Sequence, residues 1–175
     1  MPNSIKTEIS QSVQDFSLPR YHQIPDVGLY LEQTAKYITE YLSCLGQFSL
    51  TGSMISNYVK KKLIPSPEKK LYCREQIAEL FFIAVVKTVT TIEDLELMLR
   101  LQRSTYSTQV AYDYFCLELQ NVLLYTLGAK DTLDALGSRH TSEKELLRNA
   151  IIAVAHKVYL EKYCQALRKG DSSTS

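Results

Sequence analysis

Apolar side chains recur at three- and four-residue intervals along most of this chain, a period that only a helix can gather onto one buried face. Tyr30, Leu31, Thr34, Ile38, Tyr41, Leu42 and Leu45 keep this spacing and predict a helix over 29–45, stopped by Gly46. Thr51 is placed to cap a second helix over 51–62, which Pro65 and Pro67 keep from continuing. A third helix is expected over 73–88, with Ile77, Leu80, Phe81 and Ala84 inward and a denser Phe82 to Val86 stretch buried on several sides. Further helices are expected from Thr90 or Thr91 to Arg103, over 108–127 with Gly128 closing, and from a Ser142 cap to Arg168. DTLDALG (131–137) reads as a turn or helix fragment. Six glycines and five prolines in 175 residues leave few tight turns for an all-β fold. The fold class is therefore all-α.

A chain of this length buries enough core to need no disulfide or metal staple. Its longest apolar run, Leu80 to Val86, is far below the ~20 residues that span a bilayer, so no membrane association is expected. The first fifteen residues hold no signal-peptide core. Cys44, Cys73, Cys116 and Cys164 are scattered without a CxxC pair, which fits a reducing cytoplasm and argues against a zinc ribbon. Residues 1–17 are polar and expected to be a flexible N-terminus, and 170–175 a disordered tail.

Charge divides unevenly. Between Thr51 and Arg74 stand six bases (Lys60, Lys61, Lys62, Lys69, Lys70, Arg74) and one acid, Glu68, while the remainder holds 14 bases and 18 acids. A local basic cluster on a mildly acidic chain suits a polyanion partner. Within the 51–62 helix, Met54, Ile55, Tyr58 and Val59 form an inward stripe. Ser53, Ser56, Asn57, Lys60 and Lys61 form the opposite one. Short polar side chains can approach base edges, and lysines beside them bind phosphates.

Catalytic constellations are missing. Gly128-Ala129-Lys130-Asp131 lacks the upstream glycine and the following hydroxyl of a phosphate loop, and no G-x-S-x-G occurs. His22, His140 and His156 have no partner at metal-ligand spacing. The twelve tyrosines recur mostly at helical spacing, which favours packing over base stacking. No enzymatic activity, metal or cofactor is expected.

The order helix, glycine-containing turn, amphipathic helix, proline–lysine hairpin and helix suits a winged helix-turn-helix. Residues 55–83, ISNYVKKKLIPSPEKKLYCREQIAELFFI, resemble the DNA-binding core of MerR-type regulators at Tyr58, Lys60, Lys61, Leu63, Ile64, Pro65, Tyr72, Glu75, Ile77, Leu80 and Ile83. Ser56-Asn57-Tyr58 stands where those proteins usually carry Arg-Tyr-Tyr, Lys62 replaces a glycine, and the wing is shorter. Leu18-Pro19-Arg20, Ile24-Pro25, Leu29-Tyr30, Gln33, Asn57-Tyr58-Val59-Lys60 and Lys70-Leu71-Tyr72 resemble a bacterial family known only as a domain of unknown function, common in low-GC Gram-positive bacteria. That resemblance implies a helical fold with a MerR-like core and no established activity. The expected organisation is thus a winged-helix domain over 18–103 and a helical region over 104–169 packed on it.

The functional expectation is a DNA-binding transcriptional regulator. Ser53, Ser56 and Asn57 would contact bases; Lys60, Lys61, Lys69, Lys70 and Arg74 would contact phosphates of double-stranded DNA. The alternative is a protein–protein interaction module on a degenerate winged-helix scaffold that does not bind DNA. The two C-terminal helices carry apolar residues on more than one face, so either a homodimer or a monomer wrapped by both is expected.

Overall fold

The structure, a computed structural model, describes residues 2–172, with side chains over 4–170. Its regular elements are helices: α1 (Pro2–Val13), α2 (Leu31–Leu42), α3 (Gly52–Lys60), α4 (Arg74–Val86), α5 (Ile92–Thr105), α6 (Thr108–Thr126) and α7 (Ser142–Ser172). Single 3-10 turns stand at Tyr21–Gln23 and Ser43–Leu45. No helix among the described residues is long and apolar enough to cross a membrane.

Helix α4 is the centre. Every residue from Gln76 to Val86 is buried, because an apolar sequence with no polar stripe must be covered all round. α2, α6 and α7 pack against it, and Phe81 meets the rings of Tyr37, Tyr41 and Tyr112. α6 and α7 lie against each other, with Phe115, Leu119, Val122, Ile151, Val154 and Val158 in the shared core. Gly128, at φ +77°, ends α6 with the left-handed turn that the sequence predicts there: Ala129 N–H donates to Leu124 O at 2.8 Å.

The expected flexible N-terminus is instead helix α1. Ile9, Val13 and Phe16 enter the core, and α1 packs on α6 and α7. The apolar stripe is sparse, but its few members meet a groove that the later helices leave open. The following segment is pinned at its backbone: Gln120 donates to Phe16 O, Tyr112 to Pro19 O (both 2.9 Å), and Tyr21 N–H to Asp113 Oδ1 at 2.9 Å. The expected tail is corrected in part as well, since α7 continues through Ser172. Residues 173–175 lie outside the described residues.

Of Thr90 and Thr91, it is Thr91 that accepts from the third helical N–H, that of Asp94; at α7 the cap shifts by one residue, Thr141 and not Ser142 accepting from Lys144 N–H. The 131–137 stretch forms no helix fragment. Asn121 holds it instead, donating to Asp134 O at 2.9 Å and accepting Asp134 N–H at 3.0 Å.

The hairpin wing expected over 63–72 is not built from strands among the described residues. The segment makes two isolated antiparallel bridges, Glu68 with Leu71 and Leu29 with Tyr72. The second ties its end to Leu29, two residues before α2, rather than to its own first half. Pro65 and Pro67 have no N–H to donate to a ladder in the first half of the segment.

Candidate nucleic-acid interface

Helix α3 begins where α2 allows it. Thr39 Oγ1 bonds both Leu50 N–H and Leu50 O, at 3.1 and 3.2 Å, fixing the turn between the helices. Thr51 Oγ1 then accepts Met54 N–H at 3.2 Å, the N-cap read from the sequence. At Gly52 a Cβ would meet the carboxylate of Glu32, the movable end of a flexible side chain, and would stand 3.3 Å from Leu31 Cδ2. Behind the turn, Lys87 Nζ donates to Ser49 O at 2.8 Å, and partial burial lowers its pKa.

Ile55 and Tyr58 are the buried side of α3, and Val59 is half-buried. Met54, expected inward, is exposed, its sulfur 3.3 Å from Lys87 Nζ. Ser53, Ser56, Asn57, Lys60 and Lys61 are all exposed. Among the described residues, the side chains of Ser53, Ser56 and Asn57 make no hydrogen bond to protein, so their polar atoms face outward uncommitted.

The end of α3 has a feature that residue types hide. Lys62 N–H donates to Val59 O and Leu63 N–H to Tyr58 O, both 2.9 Å, the paired bonds of a Schellman motif. The motif needs a left-handed residue, normally glycine, and here Lys62 holds it at φ +60°. Further on, Leu71 N–H donates to Glu68 O at 2.8 Å across a turn whose central residues, Lys69 and Lys70, have φ of +49° and +67°. Two successive left-handed residues make a type I′ turn, the usual place for Asn-Gly. All three described non-glycine residues with positive φ are thus lysines of the basic segment.

This segment is anchored from beneath. Leu63 and Ile64 are buried. Arg103 Nη2 donates to Leu63 O at 2.8 Å, and its guanidinium also grips Glu79. Gln76 Nε2 donates to Pro65 O, while its Oε1 accepts Cys73 N–H, each at 2.9 Å. Gly28, at φ +78°, lets the Leu29–Tyr72 bridge close, since a Cβ would stand 3.2 Å from both Leu71 Cβ and Tyr72 O.

Lys60, Lys61, Lys62, Lys69 and Lys70 are exposed, and none makes an ion pair among the described residues. Arg74 does not join them. Its Nε donates to Ile24 O at 2.9 Å, Nη1 lies 3.6 Å from Asp26, and the guanidinium stands over the Tyr21 ring. Arg74 therefore positions the 18–27 segment, with its guanidinium facing protein groups.

Sequence reading missed Thr39, Gln76, Glu79 and Arg103. One signal was present: Gln76 and Glu79 are polar residues within an otherwise apolar buried helix, a position that demands a partner. Among the described residues no group of histidine, cysteine and carboxylate side chains is arranged to hold a metal ion.

No curated protein and no solved structure matches this chain. Residues 19–115, more than half of its length, match the family described as a domain of unknown function (DUF1836). That stretch begins at the proline whose carbonyl meets Tyr112 and ends within α6, so it spans the basic segment and every contact that anchors it. The chain belongs to the DUF1836 family.

Proposed function

We propose that this protein is a cytoplasmic, non-enzymatic DNA-binding transcriptional regulator with a MerR-like winged helix-turn-helix core. Helix α3 is its recognition helix and the 63–72 turn a reduced wing. The observation that carries the reading is the backbone of Lys62, Lys69 and Lys70. Left-handed φ costs a lysine roughly 1 kcal/mol or more relative to glycine, so cheaper residues were available at three exposed positions. What the strained choice supplies is positive charge on short, rigid turns. Ser53, Ser56 and Asn57 read base edges, the carboxamide of Asn57 pairing with adenine, and Lys60, Lys61, Lys69 and Lys70 hold phosphates. Arg74 supports this surface from behind. Four unpaired thiols fit a reducing compartment.

The test is fluorescence anisotropy with labelled genomic duplexes at several salt concentrations. Saturable binding that weakens with salt is expected; no binding at low salt would defeat the proposal.

A second reading has its own support. On α7, Ala153, Leu160 and Leu167 are exposed at seven-residue spacing, which suits a helical partner and favours protein interaction, homodimerisation included. Light scattering after size exclusion separates the cases: a ~20 kDa particle at high micromolar concentration excludes the dimer. Partners captured from extract that survive nuclease, and ignore Lys60→Glu with Lys61→Glu, favour the interaction module over DNA.

A further inference from the structure

A pocket of about 170 Å³ opens between α5, α6 and the first two turns of α7, away from the basic segment. Its walls are carbon: Phe82 at the back, Met98 and Leu101 from α5, Val110 and Ala111 from α6, Leu147 from α7. The volume is close to the ~150 Å³ of an apolar cavity that takes one benzene ring.

The polar groups at its edge restrict the occupant further. Lys144 is already engaged, donating to Arg139 O at 3.2 Å and standing 5.1 Å over the Tyr114 ring. Glu143 stands beside it, so the rim carries one charge of each sign and favours neither an anion nor a cation. The side chain of Gln102 makes no hydrogen bond among the described residues, which leaves a donor and an acceptor at the pocket for a ligand. The helix that carries it, α5, buries Leu95 and Leu99, and Arg103 beside Gln102 ties it to Glu79 of α4, so this wall holds the carboxamide in place.

We propose that this pocket binds a small neutral ring compound with one hydrogen-bonding edge, the ring among the apolar walls and the edge on the Gln102 carboxamide. The inference does not depend on DNA binding.

Methyl-detected NMR of the full chain titrated with indole tests it, with benzoate and benzylamine as charged controls. Indole should shift the Met98, Leu101, Val110 and Leu147 methyls saturably and more strongly than either control. Gln102→Leu should weaken indole about threefold to tenfold while leaving toluene binding unchanged, as expected for one net hydrogen bond. Val110→Trp, at an exposed position on the rim, should abolish binding of both and still fold. Shifts absent up to the solubility of indole, shifts scattered over the surface, or equal binding of the charged controls would overturn the proposal. So would a stable dimer in which these methyls are already covered by a second copy.

Discussion

Arg103 grips Glu79 with two parallel bonds, Nε to Oε1 at 2.7 Å and Nη2 to Oε2 at 2.8 Å, and Nη2 also holds the carbonyl of Leu63. One guanidinium thus locks α5 to α4 and fixes the chain just after the Schellman turn of α3. The hydrogen-bonded carboxylate raises the arginine pKa. Arg103→Met strands a carboxylate whose side chain is only 8% exposed. Unfolding in urea should show a loss of about 2–3 kcal/mol, below the full buried-pair range because Arg103 itself is partly solvated.

The turn lysines predict an opposition between stability and binding. Lys62→Gly relieves left-handed strain at the Schellman position and should stabilise the fold by a few tenths to about 1 kcal/mol. Replacing Lys69-Lys70 with Asn-Gly should do the same for the type I′ turn. Both variants should lose affinity for duplex DNA as they gain stability, measured by denaturation and anisotropy on the same samples. A variant that gains in both would separate these lysines from the polyanion site.

Glu118 is wholly buried, its Oε1 paired with Arg148, and among the described residues Oε2 has no hydrogen-bond partner. Arg148→Met leaves that charge alone in the core. It should cost about 3 kcal/mol or more in urea unfolding, whereas a charge swap at exposed Lys36 or Glu40 should stay within about 0.5 kcal/mol.

Alkaline stability has a defined sign. Burial pushes the Cys116 thiol from near 9 up to about 12, and burial raises the Tyr112 and Tyr37 hydroxyls too. Below about pH 8 these groups hold their protons in both states and contribute little pH dependence. From about pH 8 to about 12 the unfolded chain gives up protons that the folded chain keeps, so stability falls as pH rises. Urea midpoints at pH 8, 9.5 and 10.5 should decrease in that order. At pH 8 a thiol reagent should modify exposed Cys73 and Cys164 quickly and leave Cys116 intact.

Helices α2, α3, α5, α6 and α7 were legible because each carries a buried stripe, and α4 because its apolar run leaves no face for water. What the sequence hid is non-local. The stripe of α1 is too thin to predict a helix until its groove on α6 and α7 is known. The cap at Thr91 or Thr141 is decided by which of two adjacent hydroxyls meets the third N–H. The exposed face of α3 was readable from spacing, except that Met54 lies outside the core. The turns at Lys62 and Lys69-Lys70 were not, because residue type is the signal for left-handed backbone and lysine gives the opposite one. Arg74 was grouped with the lysines by sequence proximity, yet the carbonyl of Ile24, fifty residues earlier, claims its guanidinium.

The central claim is that the exposed lysines of α3 and its following turn bind DNA phosphates. The slope of log affinity against log salt for one labelled duplex, wild type beside the Lys60→Glu, Lys61→Glu double variant, tests it most directly. Each phosphate contact contributes about −0.9 to that slope, so the variant should bind more weakly and its slope should be shallower by about two. An unchanged slope, or no saturable binding at about 50 mM salt by the wild-type chain, contradicts the account.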